Sequence, residues 1–354
     1  KEYYFYLDST PTHSYMKYLY KYPQAAYPYD DLVRTNSRRS RDEMEYELLD
    51  TGVFDEDRYF DVFVEYAKAG PEDMLVQITA ANRGPKAAEL HMLPTLWFRN
   101  DWASWLARPA SKPVMKQEKG PAGASVVAAS HADLGDYILY CDGDVPLLFT
   151  ENETNNERLF PQYPNATPYV KDGINNYVVQ GQKNAVNPGR TGTKASPYYK
   201  LNVLAGQSAK VRLRLMKRSA GKDQVVPFGK GFDEILSARL KEADEFYQAI
   251  TPSSLSPDAA QVMRQALAGM LWSKQYYFLD ADRWLEEHQA HPLHQQHRHF
   301  RNRDWFHMVN KDVISMPDKW EYPWYAAWDL AFHTLPLGMV DPDFAKQQLE
   351  LMLR

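Results

Sequence analysis

The sequence predicts a protein with both α and β domains, in which an antiparallel β-sandwich is followed by helices. Three observations predict this. Short apolar or alternating runs recur up to residue 216, with turn residues between them. A helical period replaces them after Pro227. The 354 residues also exceed the roughly 100–200 of one typical domain. We therefore assign 1–218 to the sandwich, 219–256 to a helical linker and 257–354 to a helical domain.

The strand predictions depend on period-two alternation bounded by turn chemistry. N-R-G-P at 82–85 and D-G-D at 142–144 are typical turn sequences. Many short strands without a long helix between them favour a sandwich. The predicted strands cover 59–66, 75–80, 88–98, 137–141, 147–150, 198–204 and 209–216.

The helix predictions depend on apolar spacing and on capping residues. An amphipathic helix is expected over 232–250, and Ser256-Pro257 supplies an N-cap and a first-turn proline for the next. That helix is expected over 257–278. A third is expected over 324–335, and Asp341-Pro342 begins the last.

Composition excludes several classes of protein. The net charge of −5 and the pI near 6.1 argue against a nucleic-acid binder, which normally carries a basic face. Nothing in the sequence resembles a signal peptide, and nothing resembles a membrane-spanning run of about 20 apolar residues. The predicted compartment is therefore the cytoplasm. The single cysteine, Cys141, lies in a strand-like run and is expected to be a buried, inert thiol.

A polar stretch over 287–318 carries six of the ten histidines. Metal binding is one interpretation, but no cysteine and no closely spaced histidine pair fixes a ligand geometry. A polar loop without a metal is the favoured interpretation.

The main candidate site is the stretch W-E-Y-P-W-Y-A-A-W-D at 320–329. Sugars present apolar C–H faces, against which aromatic rings stack, and hydroxyl groups, which donate hydrogen bonds to a carboxylate. The competing interpretation is a helical core with a first-turn Asp that favours the helix dipole. The density of aromatic residues favours a sugar subsite, formed by Trp320, Tyr322, Trp324, Tyr325, Trp328 and Asp329, with Glu321 as a weaker candidate.

Several stretches resemble one enzyme family. They are E-Y-Y-F-Y-L-D-S-T-P-T-H-S-Y at 2–15, L-L-D-T-G-V-F-D-E-D-R-Y-F at 48–60, L-P-T-L-W-F-R-N at 93–100, K-D-G-I-N-N-Y at 171–177, M-L-W-S-K-Q at 270–275 and the stretch at 320–333. Together they resemble the bacterial glucosidase-like proteins of glycoside hydrolase family 63, related to mannosyl-oligosaccharide glucosidase and mannosylglycerate hydrolase. The resemblance implies a sandwich followed by an (α/α)6 barrel of twelve helices. It also implies hydrolysis of α-glycosidic bonds with inversion, by one acid and one base carboxyl group.

The resemblance assigns roles to particular residues. Trp324 and Trp328 would form a wall of the subsite, and Asp329 would bind glycone hydroxyls. Asp329 as the general acid is the second alternative, because burial among indoles would raise its pKa. Lys274 and Gln275, on the predicted first barrel helix, are candidates to reach hydroxyls from the same end, and a surface or helix-packing role is the alternative for both. No metal or cofactor is implied.

Helix counting indicates that the barrel is incomplete. About three barrel helices fit after Pro257, whereas twelve would need at least roughly 200 residues. The base is therefore expected beyond Arg354, and the chain alone is expected to be inactive. Two rival functions stay open at this point. One is a non-catalytic carbohydrate-binding or scaffolding sandwich, and the other is a sugar-processing (α/α)6 enzyme that is not a hydrolase.

Overall fold

The computed structural model describes residues 2–100, 102, 112–218, 226–293, 303–316 and 325–353. The strands are β1 (Tyr3–Ser9), β2 (Tyr15–Pro23), β3 (Tyr59–Gly70), β4 (Asp73–Asn82), β5 (Ala88–Met92), β6 (Leu96–Trp97), β7 (Val114–Glu118), β8 (Ala124–His131), β9 (Gly135–Asp142), β10 (Leu147–Thr150), β11 (Thr191–Gly192), β12 (Lys194–Pro197), β13 (Tyr199–Val203), β14 (Ser208–Lys217), β15 (Lys274–Asp280) and β16 (Val309–Ser315). The helices are α1 (Tyr29–Asn36), α2 (Asn156–Leu159), α3 (Gly173–Val179), α4 (Lys230–Ile250), α5 (Pro257–Trp272), α6 (Ala281–Glu287), α7 (Ala327–Val340) and α8 (Pro342–Leu351).

The chain forms two compact units. The β unit comprises Lys1–Phe5 and Lys17–Leu240, and the helical unit comprises Tyr6–Met16 and Lys241–Arg354. The predicted domain boundary at 218 lies before this division, which falls within α4. The three-part domain organisation stays a prediction.

A large sheet dominates the β unit. Its nine strands run in the order β1-β2-β3-β4-β14-β9-β8-β7-β11, and the pairings from β3 to β11 are antiparallel. Two smaller antiparallel sheets, β10-β12-β6 and β13-β5, accompany it. The predicted antiparallel β architecture is therefore confirmed.

One core serves the large and the small sheets. Because alternate side chains of a strand point to opposite faces, the strands that line this core contribute alternate residues to it. Met115 and Cys141 enter from the large sheet, Phe149 and Ala195 enter from the small ones, and all four are 0% exposed. Burial raises the pKa of the Cys141 thiol to about 12, so it is protonated and inert, as predicted.

Each predicted strand overlaps an observed one, but the run at 88–98 is divided. β5 ends at Met92 and β6 begins at Leu96, with Pro94 between them. Proline has no N–H group to donate to a neighbouring strand, so it interrupts the pairing.

The helical unit corrects two predictions. α5 begins as expected, with Ser256 Oγ accepting from the Ala259 N–H at 3.2 Å, but it ends at Trp272 instead of 278. The next residues form β15, which pairs antiparallel with β16. Tyr and Phe favour strands, and β16 supplies the partner. The helix expected over 273–278 and the loop expected over 309–315 were therefore wrong.

The later helices begin near their predicted positions. α7 runs from Ala327 through Pro336 to Val340, and α8 follows the N-cap Asp341, whose carboxylate accepts from the Phe344 N–H at 3.1 Å. The (α/α)6 barrel stays a prediction. Over the described residues, no helix is both long enough and apolar enough to cross a membrane.

The segment Tyr6–Met16 belongs to the helical unit through specific contacts. Asp8, which is 5% exposed, forms an ion pair with Arg264 of α5. Tyr247 Oη donates to the Ser9 carbonyl at 2.7 Å, and Trp272 Nε1 donates to the Asp8 carbonyl at 2.9 Å. These contacts join the segment to α4 and α5.

Candidate functional site

The structure describes part of the predicted site. Outside the described residues lie Trp320, Glu321, Tyr322 and Trp324. The described members are Tyr325, Trp328 and Asp329 at the start of α7, and Lys274 and Gln275 on β15. All of these belong to the helical unit.

Trp328 and Asp329 are neighbours in the first turn of α7. Trp328 is 71% exposed, so its indole is available to a ligand, and its ring meets Phe332 edge-on at 5.8 Å. Asp329 is partly buried. The N-cap, Ala326, offers no side-chain acceptor to the first-turn N–H groups, so a carboxylate here also stabilises the helix. A dipole partner and an acceptor for sugar hydroxyls are compatible roles.

The exposed indole belongs to an apolar face of α7. Its members follow helical spacing, and each is more than half exposed: Trp328 at 71%, Phe332 at 64%, Leu335 at 73% and Met339 at 53%. The opposite face is buried through Leu330, Leu337 and Val340. Helices of a soluble domain that are apolar on opposite faces are normally buried in the core of a larger protein.

His333 lies one helical turn after Asp329. Its Nδ1 is 3.0 Å from Ser315 Oγ, and Ser315 is 0% exposed. Burial lowers the pKa of His333, although the charge of Asp329 acts in the opposite direction. The ring is therefore neutral at neutral pH.

Gln348 fixes the strand that holds this histidine. It is 1% exposed, its Oε1 accepts from the Ser315 N–H at 3.2 Å, and its Nε2 donates to the Val313 carbonyl at 3.1 Å. Sequence reasoning did not identify His333, Ser315 or Gln348. The sequence offers one signal for His333, its position four residues after Asp329 on the same helix. It offers none for Ser315 or Gln348.

Two polar atoms of the predicted site have no hydrogen-bond partner among the described residues. They are Gln275 Nε2 and Tyr325 Oη, and each of these two atoms is inaccessible to solvent. Burial and the charge of Asp312 raise the pKa of Tyr325, so its hydroxyl keeps its proton. Buried donors without partners are destabilising.

Lys274 is already engaged by protein groups. Its Nζ lies 3.1 Å from Asp341 Oδ2 and 4.0 Å from the centre of the Phe344 ring, and its side chain is 12% exposed. The location of Lys274 and Gln275 on a helix was wrong, since both lie on β15. Their role in substrate binding stays a prediction.

The described histidines of the 287–318 stretch do not converge on a metal site. His288 stacks on Trp284 at 4.0 Å, and His291 Nε2 lies 3.0 Å from Asp282. Within the described ranges, no group of three His, Cys, Asp or Glu side chains is placed to hold a metal ion. His307 is also described, and its ring centre lies 5.6 Å from that of Phe306. The other three histidines, His294, His297 and His299, lie outside those ranges.

No protein-family profile matches the chain. The uncharacterized Saccharomyces cerevisiae protein YMR196W is 39% identical over 393 aligned positions, which cover 100% of this chain and 36% of the yeast protein. The chain thus spans about a third of the length of this relative.

Among solved structures, a polysaccharide lyase is similar to this chain with a TM-score of 0.30 and 13% identity, covering 51% of this chain and 22% of the lyase. A galactose mutarotase-related enzyme from Lactobacillus acidophilus has a TM-score of 0.28 and 6% identity, covering 63% of this chain and 73% of that enzyme. Both TM-scores lie below 0.5, so these similarities support no conclusion about fold or activity.

Proposed function

We propose that this chain is part of an inverting α-glycosidase, in which Asp329 and Trp328 bind the glycone of an α-glucoside or a related α-linked sugar. The proposal rests on one observation above all: Trp328, whose indole is exposed, and Asp329, which is partly buried, are consecutive residues in the first turn of α7. The indole would stack on the C–H face of the sugar ring, and the carboxylate would accept hydrogen bonds from the sugar hydroxyls.

Two further features support this proposal. The buried donors of Gln275 and Tyr325 match the oxygen-rich rim of a sugar. The sequence motifs quoted above also resemble glycoside hydrolase family 63, whose glycone-binding Asp corresponds to Asp329.

With Asp329 assigned to binding, the proposed enzyme still needs a general acid and a base. An inverting pair needs two carboxyl groups about 6.5–9.5 Å apart, with a water between them. We place the general acid and the base on later barrel helices, which would also cover the apolar face of α7. The chain alone is then expected to bind sugar weakly and to hydrolyse nothing.

Asp329→Asn in the complete gene product tests the assignment. The amide keeps the shape of the side chain but removes its charge, and charged hydrogen bonds contribute about 1.5–3 kcal/mol, so kcat/KM should fall by roughly 10–150-fold. The assay compares an alkyl α-glucoside, which has a poor leaving group, with α-glucosyl fluoride, which has a good one. An equal deficit on both substrates supports binding. A deficit confined to the alkyl glucoside would make Asp329 the general acid.

Asp343→Asn is the matched control, because Asp343 also lies in the first turn of a helix and its side chain is 89% exposed. It should leave kcat/KM unchanged. Unchanged kinetics in Asp329→Asn would remove Asp329 from the site.

The product separates the proposal from its rivals. Proton NMR should detect β-glucose as the first product of an α-glucoside, since the reaction inverts the anomeric carbon. A requirement for inorganic phosphate would indicate a phosphorylase. Sugar binding without turnover of α-glucosides by the complete protein would indicate a binding module.

A further inference from the structure

We propose that Tyr198 is a nucleophile activated by His91 and Glu89, able to accept an acyl group from an activated ester. The three residues belong to the β unit, at the two-stranded sheet of β5 and β13. The inference goes beyond the proposed glycosidase activity, whose described residues all lie in the helical unit.

The outer face of this small sheet brings the three side chains together. Leu90 of β5 points into the core and is 5% exposed, so its neighbours Glu89 and His91 point to the other face. Tyr198 directly precedes β13, and its N–H donates to the Pro146 carbonyl at 2.9 Å. Its ring stacks on the His91 ring, with the two centres 5.5 Å apart. The phenol is therefore held against the imidazole.

Two short hydrogen bonds run through the histidine. His91 Nε2 lies 2.7 Å from Glu89 Oε1, and Nδ1 lies 2.6 Å from Tyr198 Oη. Glu89 also bonds Lys200 at 3.0 Å, which lowers the pKa of its carboxyl group, so the group is ionised at neutral pH. A carboxylate only accepts hydrogen bonds, so Nε2 of the neutral ring carries the proton. Nδ1 is then the acceptor, and the phenol donates to it.

This arrangement has the order of an activated nucleophile, in which a hydroxyl bonds a base that a third group orients. The competing interpretation is a row of solvated cross-strand pairs that only stabilises the sheet. The ion pair of Glu89 and Lys200 would be sufficient for that, and it requires no phenol that donates to an imidazole. His91 and Tyr198 are both partly exposed, so the hydroxyl lies at the surface where an ester can approach.

The acyl transfer conserves atoms and charge. Tyr198 Oη attacks the carbonyl carbon of the ester while its proton passes to His91 Nδ1. Glu89 stabilises the imidazolium that forms. The bond between the carbonyl carbon and the leaving oxygen then breaks, and the leaving group takes the proton from Nδ1. The products are an ester of Tyr198, a free alcohol and a neutral histidine.

The test treats the complete gene product with 4-nitrophenyl acetate at neutral pH and measures acetylation of each tyrosine by peptide mass spectrometry. Tyr163, which is 60% exposed, is the internal reference. Tyr198 should be acetylated roughly 100-fold faster than Tyr163, because general-base assistance contributes at least about that factor. Exposure alone predicts the opposite order, since Tyr198 is the less exposed of the two.

His91→Asn places an amide near the position of Nδ1 that can accept from Tyr198 but cannot take up its proton. It should remove the roughly 100-fold advantage. Glu89→Gln should give a smaller loss, because a neutral amide no longer selects the ring form with the proton on Nε2. His131→Asn is the matched control, since His131 Nδ1 accepts from the Asp133 N–H at 3.1 Å, and it should keep the wild-type rate.

Equal acetylation rates at Tyr198 and Tyr163 in the wild type would overturn the inference. An unchanged rate at Tyr198 in His91→Asn would overturn it as well, because the histidine would then be only a structural partner. The rate at Tyr163 should be the same in every variant, which shows that a loss at Tyr198 does not come from unfolding. None of these measurements uses a glycoside, so their failure leaves the proposed function untouched.

Discussion

The β unit and the helical unit treat their large apolar side chains in opposite ways. In the β unit, Phe60 and Phe149 are at most 1% exposed, within a core shared by three sheets. In the helical unit, one face of α7 leaves Trp328 and Phe332 more than half exposed. The β unit thus completes its own core, whereas α7 presents a surface suited to further protein or to a ligand.

This difference explains why the candidate site lies in the helical unit. A ligand site needs side chains that the fold itself does not use. Trp328 offers an exposed ring, and Gln275 and Tyr325 offer donors without partners among the described residues. In the β unit, by contrast, the Cys141 thiol is buried and protonated, so it is not available to a ligand.

The largest expected difference is between two Phe→Ala substitutions, one in each unit. Phe149→Ala should lower the free energy of unfolding by about 3–5 kcal/mol, because it opens a cavity in a closed core. Phe332→Ala should change it by less than about 0.5 kcal/mol in this chain. Urea unfolding measures both variants, and the labelling rate of Cys141 reports on the β unit specifically. If Phe332→Ala lowered the free energy of unfolding as much as Phe149→Ala, the apolar face of α7 would be covered in solution. The contrast between the two units would then be wrong.

The next effect concerns the ion pair inside the helical unit. Arg264 bonds both Asp8 and Asp244, and its side chain is 18% exposed. Arg264→Met leaves the carboxylate of Asp8 buried without its cation and should cost up to about 3 kcal/mol of stability. Arg283→Met is the control, since Arg283 is 53% exposed and bonds Glu287 one turn away. Equal thermal shifts in the two variants would mean that Tyr6–Met16 is held by other contacts.

Local patterns account for how well the β unit could be predicted. The run at 209–216 lies in β14, which pairs with β4 along residues 208–216 and with β9 along residues 213–217. Its alternation reflects the two faces of the sheet. Local patterns failed where the partner is distant. β15 pairs with β16 more than twenty-five residues later, and Asp8 binds Arg264 across 256 positions. Neither contact leaves a periodic signal in the sequence.

The candidate site was only partly predictable for the same reason. Trp328 and Asp329 are adjacent in sequence, so a single stretch indicates both. Ser315 contacts His333 from β16, Gln348 of α8 bonds the backbone of Ser315, and no motif connects these residues. Lys274 was predicted beside a sugar, but its partner is the N-cap of α8, which only the tertiary structure brings near.

The smallest expected effect links His333 to the stability of the helical unit. Its pKa in the folded chain lies below 6.5, because the effect of burial exceeds the attraction of Asp329. Between that pKa and 6.5, the unfolded chain binds a proton that the folded chain does not. The free energy of unfolding should therefore be fully retained above pH 6.5 and should fall on acidification, by at most about 1.4 kcal/mol per pH unit.

His333→Asn removes this contribution, so urea unfolding at pH 7.5, 6.5 and 5.5 should show a smaller acid loss than in the wild type. The β unit is unchanged by the substitution, so the labelling of Cys141 should follow the same pH profile in both proteins. If the wild type instead gained stability relative to the variant on acidification, the attraction of Asp329 would exceed the effect of burial. His333 would then be charged near neutrality, and the neutral ring inferred from its burial would be wrong.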